Sequence, residues 1–228
     1  MTFEEAESCS APFGVIRRLV KPLRDTNRRD VRRIYWWRFG ENAPKMRAAL
    51  APLDQFFAVG EVSKWAIFVP CEKGWLPGKK NKAVASDDFY LLALLSSDVH
   101  RQWMHAQKGT LKGDIAYTHD TIFETFPFPQ IVAPAQVQQI RQAMITLNDY
   151  RNEVMLAKNC GITDLYNAYF HEPASQLAKL HQALDALVLK AYGWKTSEDI
   201  LSNLLDLNLE LAEREAAGEK VVGPWAPA

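Results

Sequence analysis

Cysteine is scarce in this chain of 228 residues: Cys9, Cys71 and Cys160 stand single and far apart. That spacing excludes a disulfide framework and a zinc-ligand pattern, and it fits inert thiols in a reducing compartment. Long apolar runs are also missing, since the longest, such as FYLLALL at 89–95, is far too short to cross a bilayer. The opening MTFEEAES is acidic and lacks an apolar h-region, so no signal peptide is expected and a cytoplasmic location is. None of the 11 glycines builds a phosphate loop or a GxGxxG turn, and no GxSxG elbow or Cys-plus-His nucleophile signature is present. His100, His105 and His119 come without the Cys or HExxH partners that a metal site needs. Asp87 and Asp88 are adjacent and point apart on a regular element, so they read as a solvated turn rather than a carboxylate pair. His181 sits among polar helix positions and reads as an exposed side chain. Catalytic machinery is not visible in the chain alone.

Net charge is zero as well, with 27 Lys and Arg against 27 Asp and Glu, but the balance is not local. Residues 13–82 hold sixteen basic side chains against six acidic ones. The densest stretch, VIRRLVKPLRDTNRRDVRRIYWWRFG, surrounds Tyr35, Trp36 and Trp37 with arginines. Arginine binds phosphate bidentately, keeps its charge and stacks on rings. Such a stretch is an electrostatic footprint for a polyanion, with nucleic acid first among the candidates. The structural alternative is a face balanced by acids elsewhere in the fold.

Apolar residues make up 48% of the chain, enough for a sizeable core in one large or two small domains. Charge composition divides the sequence: residues 1–129 hold nineteen basic and fifteen acidic side chains, residues 130–228 eight and twelve. The seam is Pro127-Phe128-Pro129 followed by Pro134. Domains are therefore expected over 1–133 and 134–228. Before the seam, ENAPKMRAALAPL predicts a short helix, 62–69 a β-strand and CEKGWLPGKKNK an exposed basic loop. The run from Phe89 is a strand or a helix, because periodicity alone does not decide. Ser97 and Asp98 are N-cap types for a helix carrying His100, Trp103 and Met104, which Gly109 would end. Short strands are expected over 111–117 and 121–126. After the seam, Val137, Ile140, Met144, Leu147 and Val154 repeat at helical spacing, as do Leu177, Leu180, Leu184, Leu187, Val188 and Ala191 before Gly193. Thr196 and Asp199 suggest a capping box before a third amphipathic helix from Ile200, and the tail after Gly218 is expected to be loose. The expected class is α+β: a mixed α/β domain followed by a small C-terminal helical bundle.

Five ordered pieces carry a resemblance. VKPLRDTNRRDVRRIYWWRFGENAPKMRAAL, then EVSKWAIFV, LLALLSSDVHRQW and YTHDTIFETFPFP, and finally ITDLYNAYF with LAKLHQALDALVLKAYGW and ILSNLLDLNLE, together resemble MmeI-like (type IIL) DNA methyltransferases and restriction-modification enzymes. The resemblance implies a target-recognition domain plus the C-terminal helical domain of that family. In it, an upstream domain binds S-adenosylmethionine and methylates adenine through an NPPY-type motif, and some members add a nuclease. No two prolines are adjacent here, so NPPY is absent from this chain. The implied role is a sequence-specific DNA-recognition module of an adenine-specific methyltransferase or restriction-modification system, without its catalytic domain. Its implied partners are double-stranded DNA and a methyltransferase catalytic domain, in the same full-length protein or as a separate chain, and no membrane. No cofactor is expected in this chain, S-adenosylmethionine belonging to the catalytic domain. The alternative is a protein-interaction or inhibitor module that turns its basic surface to an acidic protein.

Phosphate positioning falls first to Arg24, Arg28, Arg29, Arg32, Arg33, Lys64, Lys79, Lys80 and Lys82, of which about half are expected to make internal ion pairs instead. Asn27 could read adenine or cap a turn. Of Trp36 and Trp37, at least one belongs to the core. Lys112 and Asp114, if on one strand face, place a donor beside an acceptor and could read one G·C pair. The resemblance places base-reading residues in this stretch, before the FPFP motif; the alternative is a surface charge pair.

Overall fold

Thr2 starts the first helix with a capping box: its Oγ1 accepts the Glu5 amide at 3.2 Å, and the Glu5 carboxylate accepts the Thr2 amide at 2.7 Å. The structure is a computed structural model that describes residues 1–40, 43–107, 109–111 and 113–223, with the backbone alone for 109–111. Two compact units form, Met1–Ala48 and Ala49–Ala228.

In the first unit, α1 (Phe3–Ser8), α2 (Ser10–Leu19), α3 (Lys21–Asp25) and α4 (Asp30–Ile34) are short, and α5 (Pro44–Leu50) runs on past its boundary. Its core is small: Ala6, Phe13 and Trp36 are buried, with Phe3, Ile16 and Trp37 packed against them. Ring contacts hold it, edge-to-face between Phe3 and Phe13 at 5.5 Å and between Phe3 and Trp37 at 5.0 Å. Trp36 is thus the core member of its pair, while Trp37 is half-buried.

The second unit opens with β1 (Gln55–Gly60), the central strand of its sheet, whose residues Phe56 to Val59 are all buried. After β2 (Val62–Ser63) come β3 (Val69–Glu72) and β4 (Asn81–Val84). β1 pairs antiparallel with β3 on one side and β4 on the other. The strand expected over 62–69 is therefore broken in two, because Ala66 takes a left-handed conformation (φ 47°) and donates its amide to Ser63 Oγ at 3.1 Å. The run from Phe89 is a helix, α6 (Phe89–Ser96), followed by α7 (Asp98–Gln107). β5 (Gly109–Leu111) and β6 (Asp114–Ala116) form a hairpin that adds β2 at its far edge, so the strand expected over 111–117 is divided, Leu111 ending β5 and Asp114 opening β6. Gly113 supplies the turn's positive φ of 91°.

Residues 121–126 are not a strand. His119–Phe123 forms a π-helical turn, and the Thr125 hydroxyl donates to the Thr121 carbonyl at 2.7 Å, a local alternative to ladder bonding. The bundle then holds α8 (Pro134–Lys158), α9 (Ile162–His171), α10 (Gln176–Tyr192) and α11 (Ile200–Ala216), one helix more than the apolar stripes predict. Gly193 ends α10 in the left-handed region, as expected. α11 is capped by Asp199 alone, which accepts the Ser202 amide at 3.1 Å, and Thr196 takes no part.

One core runs through this unit, from Phe57, Leu92 and Ile122 to Met144, Leu184 and Leu204. The seam is fastened to the bundle: Tyr192 donates to the Pro127 carbonyl at 2.8 Å, and Asn208 to the Thr125 carbonyl at 2.8 Å. The tail expected to be loose is held at Val222, whose amide donates to Gln130 Oε1 at 2.8 Å and whose carbonyl accepts from Gln130 Nε2 at 3.0 Å. No helix among the described residues is long and apolar enough to cross a membrane.

Candidate nucleic-acid interface

Cations of the first unit sit on short, exposed helices. Arg28 and Arg29 are exposed, and Asn27 Oδ1 accepts the Arg29 amide at 3.0 Å, which makes Asn27 the cap of a turn. Arg24 is half-buried, and its covered Nη1 has no hydrogen-bond partner among the described residues. Arg33 pairs with Asp30 at 2.6 Å, and Lys21, outside the set assigned to phosphate, pairs with Asp25 at 2.7 Å. Such exposed pairs contribute only about 0.3–0.5 kcal/mol and give way readily to phosphate. Arg32 lies against Gly40, where a Cβ would sit 3.2 Å from its Nε. Arg38, outside the set assigned to phosphate, stacks 4.7 Å above Tyr35 and 5.5 Å from Trp37. Its signal was the YWWR sequence itself, with a guanidinium one residue beyond two rings.

Within the second unit, Lys64, Lys79, Lys80 and Lys82 divide by partner. Lys82 pairs with Glu61 at 2.9 Å. The hydrogen bond and charge of Lys82, with a smaller contribution from Lys79, hold the Glu61 carboxyl below the usual carboxylate range. Lys79 and Lys80 lie exposed in the loop between β3 and β4, as the basic-loop reading expects. Lys64 meets no carboxylate among the described residues: its Nζ donates to Asn167 Oδ1 at 2.9 Å and rests 4.6 Å above the Trp65 ring. Trp65 is fixed in turn by stacking on Phe170 at 4.1 Å and by donating Nε1–H to Asn167 Oδ1 at 3.0 Å. Asp114 is exposed at the start of β6, across the hairpin from Leu111. Lys112 lies outside the described residues, so the geometry of the Lys112–Asp114 pair is not described.

Among the described residues, clefts of different size open on this unit. One, of about 350 Å³, is walled by Phe56, Ala58, Gly60, Lys64, Trp65 and Trp75 among others. Another, of about 610 Å³, is lined by Asp88, Tyr90, Phe128, Arg141 and Val222 among others. Asp88 is no solvated turn residue. It caps α6 by accepting the Tyr90 amide at 2.8 Å and takes a bidentate pair from Arg141 at 2.7 and 2.8 Å. Burial pushes its carboxyl up, but hydrogen bonds from Arg141 and the Tyr90 amide outweigh that and hold it below its usual range. His181 is buried too, with Nε2 2.8 Å from the Tyr166 hydroxyl. His100 is enclosed with Nδ1 3.0 Å from the Leu95 carbonyl and Nε2 3.2 Å from the Tyr117 hydroxyl. Among the described residues, no three His, Cys, Asp or Glu side chains gather as metal ligands.

The stretch from Asp54 to Gln130, holding both sheets, α6, α7 and the FPFP segment, matches the family model described as MmeI, target recognition domain. Residues 54–130 are thus similar to an MmeI-type target recognition domain. Over 133 residues it is 32% identical to DNA methyltransferase A of Bacillus subtilis (strain 168), which covers 56% of this chain and 14% of that protein. The structure of the type IIL restriction-modification enzyme MmeI, solved in complex with DNA, shares the fold with a TM-score of 0.66 at 18% identity. That likeness covers 91% of this chain and 28% of MmeI, so the bundle after residues 54–130 shares the fold as well. The chain thus spans well under two thirds of either relative's length.

Proposed function

We propose that this chain is the sequence-specific DNA-recognition module of an adenine-specific DNA methyltransferase or restriction-modification system. The observation that carries the reading is the match of residues 54–130 to the MmeI target recognition domain. Chemistry on this reading belongs to a catalytic domain that binds S-adenosylmethionine, either joined to this chain or separate from it. The chain's part is to hold duplex DNA in register while a base is extruded and methylated by that domain. Exposed Arg28, Arg29, Lys79 and Lys80 are the foremost phosphate contacts. Arg24, Arg32, Arg33, Lys64 and Lys82 join them, and Arg33, Lys64 and Lys82 do so by exchanging or sharing the partners described above. Lys112 and Asp114 read a base pair, and Asn27 positions the neighbouring arginines through its turn.

Fluorescence anisotropy on a random duplex from 50 to 200 mM salt tests the reading. Binding is expected, with log K falling steeply and linearly against log salt. Lys80→Ala lowers the slope by about one, whereas Lys112→Ala leaves the slope unchanged and relaxes choice at one base position of the cognate site. A chain that ignores every duplex at 100 mM salt overturns the proposal.

A further inference from the structure

Along β1, side chains alternate between faces. Phe57 goes into the core, while Phe56, Ala58 and Gly60 line the cleft of about 350 Å³. The small residues Ala58 and Gly60 leave the space, and the left-handed turn at Ala66 brings Lys64 and Trp65 to its wall. Trp75, from the loop after β3, lines the same cleft yet is 60% exposed, an aromatic surface without a covering partner among the described residues. Lys64 is held there by an amide oxygen and a ring rather than by an acid, so its charge is not neutralised. Gly78 and Asn81, also in the lining, flank Lys79 and Lys80. An apolar slot with an exposed indole and the un-neutralised Lys64 ammonium at its wall suits a nucleobase joined to a phosphate. The volume suits it, as pockets for small organic ligands begin at about 300 Å³.

We infer that this cleft receives one unpaired nucleotide of bound DNA, its base stacked on Trp75 and its phosphate on Lys64. The inference rests on the DNA-recognition reading above and adds a site for a base out of its stack. Stacking of a base on an aromatic side chain is worth roughly a tenfold change in affinity or more. Duplex binding through phosphate contacts does not require Trp75.

The test compares a perfect duplex, the same duplex with one bulged 2-aminopurine, and free dAMP as competitor. The bulged duplex is expected to bind about tenfold tighter than the perfect one, with its emission quenched on binding. Trp75→Ala removes both the preference and the quenching and leaves perfect-duplex affinity unchanged, while Trp75→Phe keeps most of the preference. Lys64→Met lowers the salt slope for the bulged duplex by about one. A bulge preference that survives Trp75→Ala, or no preference in the intact chain, overturns the inference. So does dAMP competing as well as the bulged strand, which would make the cleft a free-nucleotide site. Failure to bind even the perfect duplex would instead overturn the DNA-recognition reading itself.

Discussion

His100, His181 and Asp185 in the second unit titrate away from their ordinary ranges, and the histidines oppose the aspartate. Burial pushes His100 down to about 4, and burial with the charges of Arg151 and Arg101 pushes His181 down to about 3. An unfolded imidazole takes its proton near pH 6.5, so acidification favours the unfolded chain from there down to about pH 4. Burial raises Asp185 to about 6, so the folded chain holds that proton first and is stabilised as pH falls from about 6 to about 4. Two groups outweigh one. The melting temperature is expected to fall between pH 7 and pH 4.5, less steeply in His181→Gln and more steeply in Asp185→Asn, as calorimetry across that range would read. An unchanged slope in both variants would mean that these groups are hydrated in solution. His181 was legible after all: it stands four residues after Leu177 and three before Leu184, on the buried face of α10. Its polarity hid a position that the period marks as core. Asp88 was hidden differently, because its partner Arg141 is 53 residues away and no local pattern announces it.

Among the elements, long helices were legible and short strands were not. α8, α10 and α11 repeat apolar residues over several turns, so one misplaced side chain does not erase the period. Residues 62–69 look like one strand because Val, Trp, Ile and Phe crowd together, yet their ends serve two different sheets. Tertiary packing of Phe68 and Trp65 decides there, and β propensity only says that the residues suit a half-buried surface. α9 escaped the stripe count, since its aromatic residues Tyr166, Tyr169 and Phe170 do not space like an aliphatic seam. Helix ends offer a sharper check. A Cβ at Gly193 would meet nothing within 4 Å, so Gly193→Ala is expected to lose about 1 kcal/mol through its φ of 75° alone. Asn159, at φ 48°, caps α8 in the same region, and Asn159→Gly is expected to be neutral or slightly stabilising. Urea unfolding with unchanged m-values reads both; a loss of about 3 kcal/mol at Gly193 would mean that packing has been disturbed.

At the scale of the whole molecule, the two units differ in what holds them. Three buried side chains centre the first, while the second draws on a continuous core from β1 to α11. Amides of α1–α4 are therefore expected to exchange with deuterium far sooner than those of α8 and α10, and Trp36→Ala should speed the first group alone. Equal protection in both would show that the small aromatic core is firmer than its size suggests. The charge map of residues 13–82 was visible in the sequence, but its physical assignment was not, because it spans the end of one unit and the beginning of the next. The proline seam likewise marks a change in composition, and the family modules proposed over 1–133 and 134–228 need not coincide with packing units. Tyr192 and Asn208 reach back to carbonyls on either side of Phe126, so that motif is soldered to the bundle. Anyone wishing to exchange specificity between relatives would therefore do best to transplant everything from the end of α5 through Val222 as one cassette. A graft stopping at the prolines would leave the donor's phenylalanines facing a stranger's helices.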